Sequence, residues 1–151
     1  MKAELELAEA DGEPALAKRL RGDLSDALDL LGLVEAYLFR MVPVLVVDDD
    51  ERLGELTARG LRRLGFEAES SASVRKLRPG EIIVLDLSLS GSLGPDERAI
   101  LVAARPIVVT GAADPASRAR ADELGASEYL VKPVDLGALA TAIQRRVELK
   151  L

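Results

Sequence analysis

Apolar residues follow two different patterns along this chain, and one gives way to the other near Met41. Ahead of it, Ala17, Leu20, Leu24, Ala27, Leu31, Val34, Leu38 and Met41 recur at alternating steps of three and four, a heptad register that predicts a helical extension over residues 1–40. Gly12-Glu13-Pro14 interrupts the extension near its start. Gly22 and Gly32 weaken it, since each costs roughly 1 kcal/mol against Ala in a helix interior. Beyond Met41, short apolar runs alternate with helical stripes. VLVV at 44–47, IIVL at 82–85, IVV at 107–109 and the shorter Tyr129-Leu130-Val131 predict strands buried on both faces, as in a parallel sheet covered by helices. FEAES at 66–70 alternates apolar and polar and predicts a half-exposed edge strand. Between them, Leu53, Leu56, Leu61 and Leu64 form a helical stripe that Gly65 ends as a C-cap, and Asp114-Pro115 opens a helix that Gly125 closes. Asp135 caps a last helix whose face carries Leu136, Leu139, Ile143 and Val147. Five strands alternating with helices over residues 41–151 make a doubly wound α/β domain with a five-stranded parallel sheet.

Composition narrows what such a domain can do. Leu, Val, Ile and Ala provide nearly all of the 48% hydrophobic share, with 3% aromatics and no Trp, which suits an aliphatic α/β interior. With neither Cys nor His, the chain has no disulfides, thiolate or imidazole metal sites, thiol nucleophiles, Ser-His-Asp triads or phosphohistidine carrier. Its chemistry has to run on carboxylate, hydroxyl and ammonium groups. A net charge of −6 argues against a broad footprint for nucleic acid or an anionic membrane. The acidic N-terminus lacks a signal-peptide core and no apolar run reaches transmembrane length, so a cytoplasmic location is the expectation.

In doubly wound sheets, sites form at the carboxyl ends of the strands. Those ends carry Asp48, Asp49 and Asp50 after the first strand, Asp86 after the third, Thr110 after the fourth and Lys132 after the fifth. Taken singly, each has an ordinary structural explanation, and for Asp50 capping of the next helix is the preferred one. Taken together, three carboxylates, a hydroxyl and an ammonium suit a hard divalent cation and phosphoryl transfer, which needs positioning and charge neutralisation more than covalent machinery.

The segments VLVVDDDE, IIVLDLSLSG, IVVTG and EYLVKP, spanning roughly Val42 to Leu149, resemble the receiver domain of two-component response regulators. The resemblance implies a flavodoxin-like fold with strand order 2-1-3-4-5. It implies that Asp86 accepts a phosphoryl group from a histidine kinase or phosphotransfer protein. It further implies that Asp48, Asp49, Asp86 and the backbone carbonyl of Ser88 hold Mg²⁺ (or Mn²⁺), and that Thr110 and Lys132 bind phosphoryl oxygens. Thr110 and Tyr129 would form the switch that changes protein contacts, and the Lys132-Pro133 bond is often cis in such domains. The positions two past the acceptor and two past the threonine, Ser88 and Ala112, would tune self-dephosphorylation.

The chain also departs from the family. The stretches from Asp49 to Asp86 and from Asp86 to Thr110 are both shorter than usual by about two helical turns. SVRKL before Arg78-Pro79-Gly80 leaves room for barely a turn, and PDERAILVAA for little more than two. Leu89-Ser90 replaces the usual Met-Pro, with Gly91 and Gly94 following, so a looser loop is expected after the acceptor. Three classes of function stay open: a phosphorylatable, non-enzymatic switch; a receiver-fold scaffold or dimeriser independent of phosphorylation; and a haloacid-dehalogenase-like phosphatase with Asp48 as nucleophile, since Asp48-x-Asp50 mimics its first motif. Direct nucleic-acid and membrane partners are not expected. A homodimer could form through the N-terminal helix or the last helix-strand-helix face, or residues 1–40 could be an upstream linker. No output domain is recognised after Leu149, so the chain reads as a stand-alone receiver or one excised from a longer protein.

Overall fold

A computed structural model describes residues 15–30 and 42–148, which belong to two compact units. In the first, residues 15–30 form one helix, α1. The break at Gly12-Glu13-Pro14 and the heptad positions Leu31, Val34, Leu38 and Met41 lie outside the described residues.

In the second unit the elements run β1 (Pro43–Val47), α2 (Glu51–Arg63), β2 (Glu67–Ser71), β3 (Ile82–Asp86), α3 (Pro95–Ala104), β4 (Ile107–Thr110), α4 (Pro115–Glu123), β5 (Glu128–Val131) and α5 (Leu136–Glu148). The strands form one all-parallel sheet in the order β2-β1-β3-β4-β5, as the pattern and the resemblance predict. Alternation along each strand divides the core in two. Val44, Val46, Ile82, Val84, Ile107 and Val109 pack with Leu61 of α2 and with Leu139 and Ile143 of α5. Leu45, Val47, Ile83, Leu85 and Val108 point the other way, toward Leu101 of α3 and Ala121 of α4. Each such aliphatic side chain stabilises the fold by about 1.5–3 kcal/mol through burial. The continuous apolar runs therefore serve both faces at once.

Four expectations are corrected. Helix α2 forms where its stripe places it, but Leu53, Leu56 and Leu64 are exposed, and the buried face is Gly54, Ala58 and Leu61. Small residues let α2 lie close to its neighbours: a Cβ added at Gly60 would come within 2.5 Å of the Leu136 side chain. Strand β5 is the second edge of the sheet and is half-exposed, with Val131 43% accessible, because no strand follows it. Residues 72–81 contain no helix. The Ser71 hydroxyl donates to the Ser73 carbonyl and accepts from the Ser73 N–H, so the side chain captures backbone groups that a helix would need, and Pro79 stops any later start. Finally, residues 87–92 form a 3₁₀ helix instead of a loose loop. The Arg98 guanidinium donates to the Ser90 carbonyl at 2.8 Å, and Leu87, Leu89 and Ser90 are buried.

Asp50 caps α2: its carboxylate accepts from the N–H groups of Arg52 at 3.1 Å and Leu53 at 3.3 Å. Asp50→Ala is expected to lower stability by about 1 kcal/mol, measured by urea unfolding, because it strands these donors at the helix start. Asp50→Ser should recover most of the loss.

Candidate metal and phosphoryl site

Parallel strands end on the same edge of the sheet, and that geometry gathers the polar residues that follow each apolar run. Asp48 and Asp49 follow β1, Asp86 ends the adjacent β3, Thr110 ends β4, and Lys132 follows β5. Asp48, Asp49 and Asp86 each offer a carboxylate oxygen, and these three oxygens lie within 4.8 Å of one another. Lys132 Nζ stands 3.2 Å from Asp86 Oδ2 and 3.9 Å from Asp48 Oδ2. The Ser88 N–H donates to Asp86 Oδ1 at 3.0 Å, and its hydroxyl is 3.5 Å from Asp49 Oδ1. Asp48 and Asp86 are buried, whereas Asp49 and Ser88 are exposed at the mouth. Asp48, Asp86 and Lys132 also line a partly open cavity of about 240 Å³ whose other walls are apolar and include Val46, Val84, Val109, Val134 and Leu139.

Thr110 and Tyr129 lie on the adjacent strands β4 and β5 and meet at one residue, Ala112. The Thr110 hydroxyl accepts from the Ala112 N–H at 3.1 Å, while the Tyr129 hydroxyl donates to the Ala112 carbonyl at 2.6 Å. The Arg118 guanidinium covers the tyrosine ring at 4.9 Å from its centroid, within cation–π range. The Lys132-Pro133 bond is cis.

Two contributors were missed by the sequence reading. Gly54, in the first turn of α2, lies so close to the acids that an added Cβ would sit 3.3 Å from Asp48 Cβ. A glycine inside an otherwise strong helical stretch was the available signal. The other is the approach of the Ser88 hydroxyl to Asp49, which the reading of Ser88 as a carbonyl donor and a tuner of self-dephosphorylation does not foresee. Asp50, in contrast, contributes its backbone N–H and not its acid: its carboxylate is committed to α2, which removes the second acid of the phosphatase-like Asp48-x-Asp50 motif.

Crowding acts unequally on the two buried acids. Burial, together with the Asp86 charge, pushes the Asp48 carboxyl up from 3.8 to about 6, although its Oδ1 accepts the Asp50 N–H at 2.9 Å. Burial opposes ionisation of Asp86 as well, but the Ser88 N–H and the Lys132 ammonium outweigh it and hold Asp86 below its ordinary value. Asp48 is therefore the acid that strains the metal-free fold. A carboxyl whose folded pKa is raised stabilises the fold below its unfolded pKa and loses that contribution as pH rises through about 6. Metal-free protein is thus expected to gain stability through this group as pH falls from 7 to 5. Asp48→Asn, which keeps the acceptor for Asp50, should raise stability at pH 7 by about 1–2 kcal/mol and flatten that pH profile in thermal melts.

A doubly wound α/β fold with an acid cluster and a lysine gathered at the carboxyl edge of its sheet defines the class of protein. Residues 44–144 match the family model of the response regulator receiver domain, and the chain belongs to that family. It is 35% identical over 113 residues, covering 68% of this chain and 58% of the relative, to the acid tolerance regulatory protein ActR of Rhizobium meliloti. It is 32% identical over 115 residues, covering 70% of this chain and 62% of the relative, to the photosynthetic apparatus regulatory protein RegA of Cereibacter sphaeroides. The chain thus spans about three fifths of the length of these curated relatives. Among solved structures, the non-phosphorylated HemR receiver domain from Leptospira biflexa superposes with a TM-score of 0.55 at 29% identity, over 70% of this chain and 93% of that one.

Proposed function

We propose that this receiver domain takes a phosphoryl group on Asp86 from the phosphohistidine of a histidine kinase or phosphotransfer protein, and that the modification changes which protein surfaces it offers. The observation that carries the proposal is the Asp86 carboxylate, ionised by Lys132 at 3.2 Å and grouped with two further acids within 4.8 Å. An Asp86 oxygen forms the new P–O bond as the donor's P–N bond breaks and the imidazole leaves. Lys132 is placed to follow charge from the carboxylate to the phosphoryl oxygens, and Thr110 stands on the adjacent strand end as a second donor.

Hard oxygen donors alone make up the cluster, which fits Mg²⁺ or Mn²⁺ held by Asp48, Asp49, Asp86 and the Ser88 carbonyl. When bound, such an ion supplies charge neutralisation for carboxylates and phosphoryl oxygens. The switch follows from the two backbone groups of Ala112. If Thr110 turns its hydroxyl toward a phosphoryl group, the Ala112 N–H loses its acceptor, and the turn that holds the Tyr129 hydroxyl through the Ala112 carbonyl is released. An equilibrium between two arrangements of α4, β5 and α5 is then biased by the modification. That face is also a candidate homodimer surface.

The domain acts as a switch and not as an enzyme, with at most slow self-dephosphorylation past the small Ser88 and Ala112. Among the described residues no helix is long and apolar enough to cross a membrane. We place the protein in the cytoplasm, with protein partners and without direct contact to nucleic acid. Incubation with acetyl phosphate and Mg²⁺, followed by intact mass measurement, should show one phosphoryl adduct that is absent when EDTA replaces the metal. Continuous turnover of acetyl phosphate without an adduct, or a folded protein that gains none, would overturn the proposal.

A further inference from the structure

Leu53, Thr57 and Gly60 fall at steps of four and three, so they share one face of α2, the face that meets α5. At Gly60 the two helices touch, through the Leu136 side chain. One turn earlier, Thr57 puts a short side chain where a close-packed interior would call for a longer one. The volume left unfilled is the cavity of about 240 Å³ beside the acids. Its floor is the sheet, at Val46, Val84 and Val109, and its sides are Leu53 and Thr57 of α2 and Val134 and Leu139 at the start of α5. An apolar cavity of about 150 Å³ is enough to take benzene, so this one has room for a ring with a short chain attached.

The polar end of the cavity sets the charge of such a molecule. Asp48, Asp86 and Lys132 line it, two anions against one cation, and Asp49 adjoins them. Lys132 Nζ is engaged with Asp86 Oδ2 at 3.2 Å and stands 3.9 Å from Asp48 Oδ2, beyond hydrogen-bond distance. Asp48 Oδ1 accepts the Asp50 N–H at 2.9 Å, which leaves Oδ2 to accept, on a side chain only 9% accessible. An ammonium carries three donors and would bring to Oδ2 the charge-assisted hydrogen bond that Lys132 does not deliver. A carboxylate head would meet two acids and a lysine already engaged. An uncharged head would leave the excess negative charge unbalanced.

We propose that the cavity is a binding site for a small primary amine, with its ammonium at Asp48 Oδ2 and a compact apolar body against Val46, Val84 and Val109. The amine and a divalent cation then compete for Asp48, which makes the amine an antagonist of phosphoryl transfer; this second part rests on the reading of the acids as the metal site of a receiver. Linkage makes the effect reciprocal, each ligand lowering the apparent affinity of the other.

Phenethylamine, added to the metal-free full chain and followed by amide chemical shifts, tests the site. It should bind with a dissociation constant of about 1 mM or tighter, with the largest shifts at Thr57, Val84 and Val134. Phenethyl alcohol, the same body with an uncharged head, should bind at least tenfold more weakly, and hydrocinnamate, with a carboxylate head, more weakly still. Thr57→Leu fills the cavity and leaves the acids in place: it should lower amine affinity at least tenfold, keep Mg²⁺ affinity and give an equal or higher thermal midpoint. Raising Mg²⁺ should displace the amine from the wild-type chain. No binding of the amine, tighter binding of hydrocinnamate, or a folded Thr57→Leu chain with wild-type amine affinity would each overturn the site, and amine binding indifferent to Mg²⁺ would overturn the competition. The head-group series runs on the wild-type chain, so it decides the matter whether or not Thr57→Leu folds. The acetyl phosphate adduct is measured without amine: a chain that binds amine but gains no adduct loses the phosphoryl reading and keeps this site, and one that gains the adduct but ignores the amine loses this site alone.

Discussion

Asp86→Asn is expected to abolish the phosphoryl adduct that the wild-type chain gains from acetyl phosphate and Mg²⁺. Asp86 Oδ1 is occupied by the Ser88 N–H at 3.0 Å and Oδ2 by Lys132 at 3.2 Å, which keeps the group ionised and fixed in place. Asparagine retains a carbonyl oxygen for the Ser88 N–H and fills the same space, so the fold should persist while the nucleophilic oxygen is lost. Asp48 has the opposite character: burial and the Asp86 charge push it up to about 6, favouring the neutral acid where Asp86 favours the anion. Asp49→Asn should leave the adduct in place but lower Mg²⁺ affinity about tenfold, the equivalent of one charge-assisted contact of about 1.4 kcal/mol. Intact mass and a metal titration separate these outcomes. An adduct that survived Asp86→Asn and vanished in Asp48→Asn would move the acceptor to Asp48.

The legible parts of this molecule were those fixed by a repeating backbone geometry. A strand buried on both faces must be apolar at every position, so VLVV, IIVL and IVV announced themselves. A parallel sheet brings the ends of its strands to one edge, so the residues after those runs named the acid cluster before any distance was known. Periodicity predicted α2 correctly as a helix but could not say which face is buried. Leu61 stays buried, but Leu53, Leu56 and Leu64 lost to Gly54 and Ala58, because small side chains allow a closer approach to β1 and α5 than a leucine row would. Strand β5 read like its neighbours since composition carries no mark of being last in the order. The 3₁₀ turn after Asp86 was hidden for another reason: glycines and serines suggested slack, but the Asp86 carboxylate and Arg98 supply the hydrogen bonds that order it. Such partners are set by tertiary structure, and local pattern is blind to them. The same holds for residues 72–81, where the shortened spacing was visible but its replacement was not.

That replacement is organised by Glu81, and Glu81→Gln is expected to cost about 2–3 kcal/mol, or roughly 10 °C in thermal midpoint. The Glu81 side chain is fully buried, directly ahead of the strand that carries Asp86. Arg75 grips both of its oxygens, at 2.8 and 3.0 Å, and Arg78 adds its backbone N–H at 3.1 Å and its guanidinium at 3.2 Å. Glu81, joined by the exposed Glu69 at 3.3 Å from Arg75 and 3.6 Å from Arg78, thus ties down both arginines of a segment that forms no helix. Removing the charge from a fully buried ion pair typically costs about 3–5 kcal/mol, and the partial exposure of both arginines, which can rehydrate, lowers the figure here. Burial acts to raise the Glu81 pKa, but Arg75 and Arg78 outweigh it and bring it below 4.5. A depressed carboxyl contributes stability above its unfolded pKa and loses it as pH falls through the folded one. Wild-type stability should therefore decline in acid below about 4.5 through this group, whereas Glu81→Gln should be less stable at pH 7 with a shallower acid decline. Urea unfolding between pH 3 and 7 measures both. A double-mutant cycle with Arg75→Ala should return a coupling of at least 0.5 kcal/mol, as expected for residues in one hydrogen-bond network. Additive losses, or a Glu81→Gln protein as stable as wild type at pH 7, would show that the segment is held without Glu81, by Val74, Leu77 and the Glu69 ion pairs.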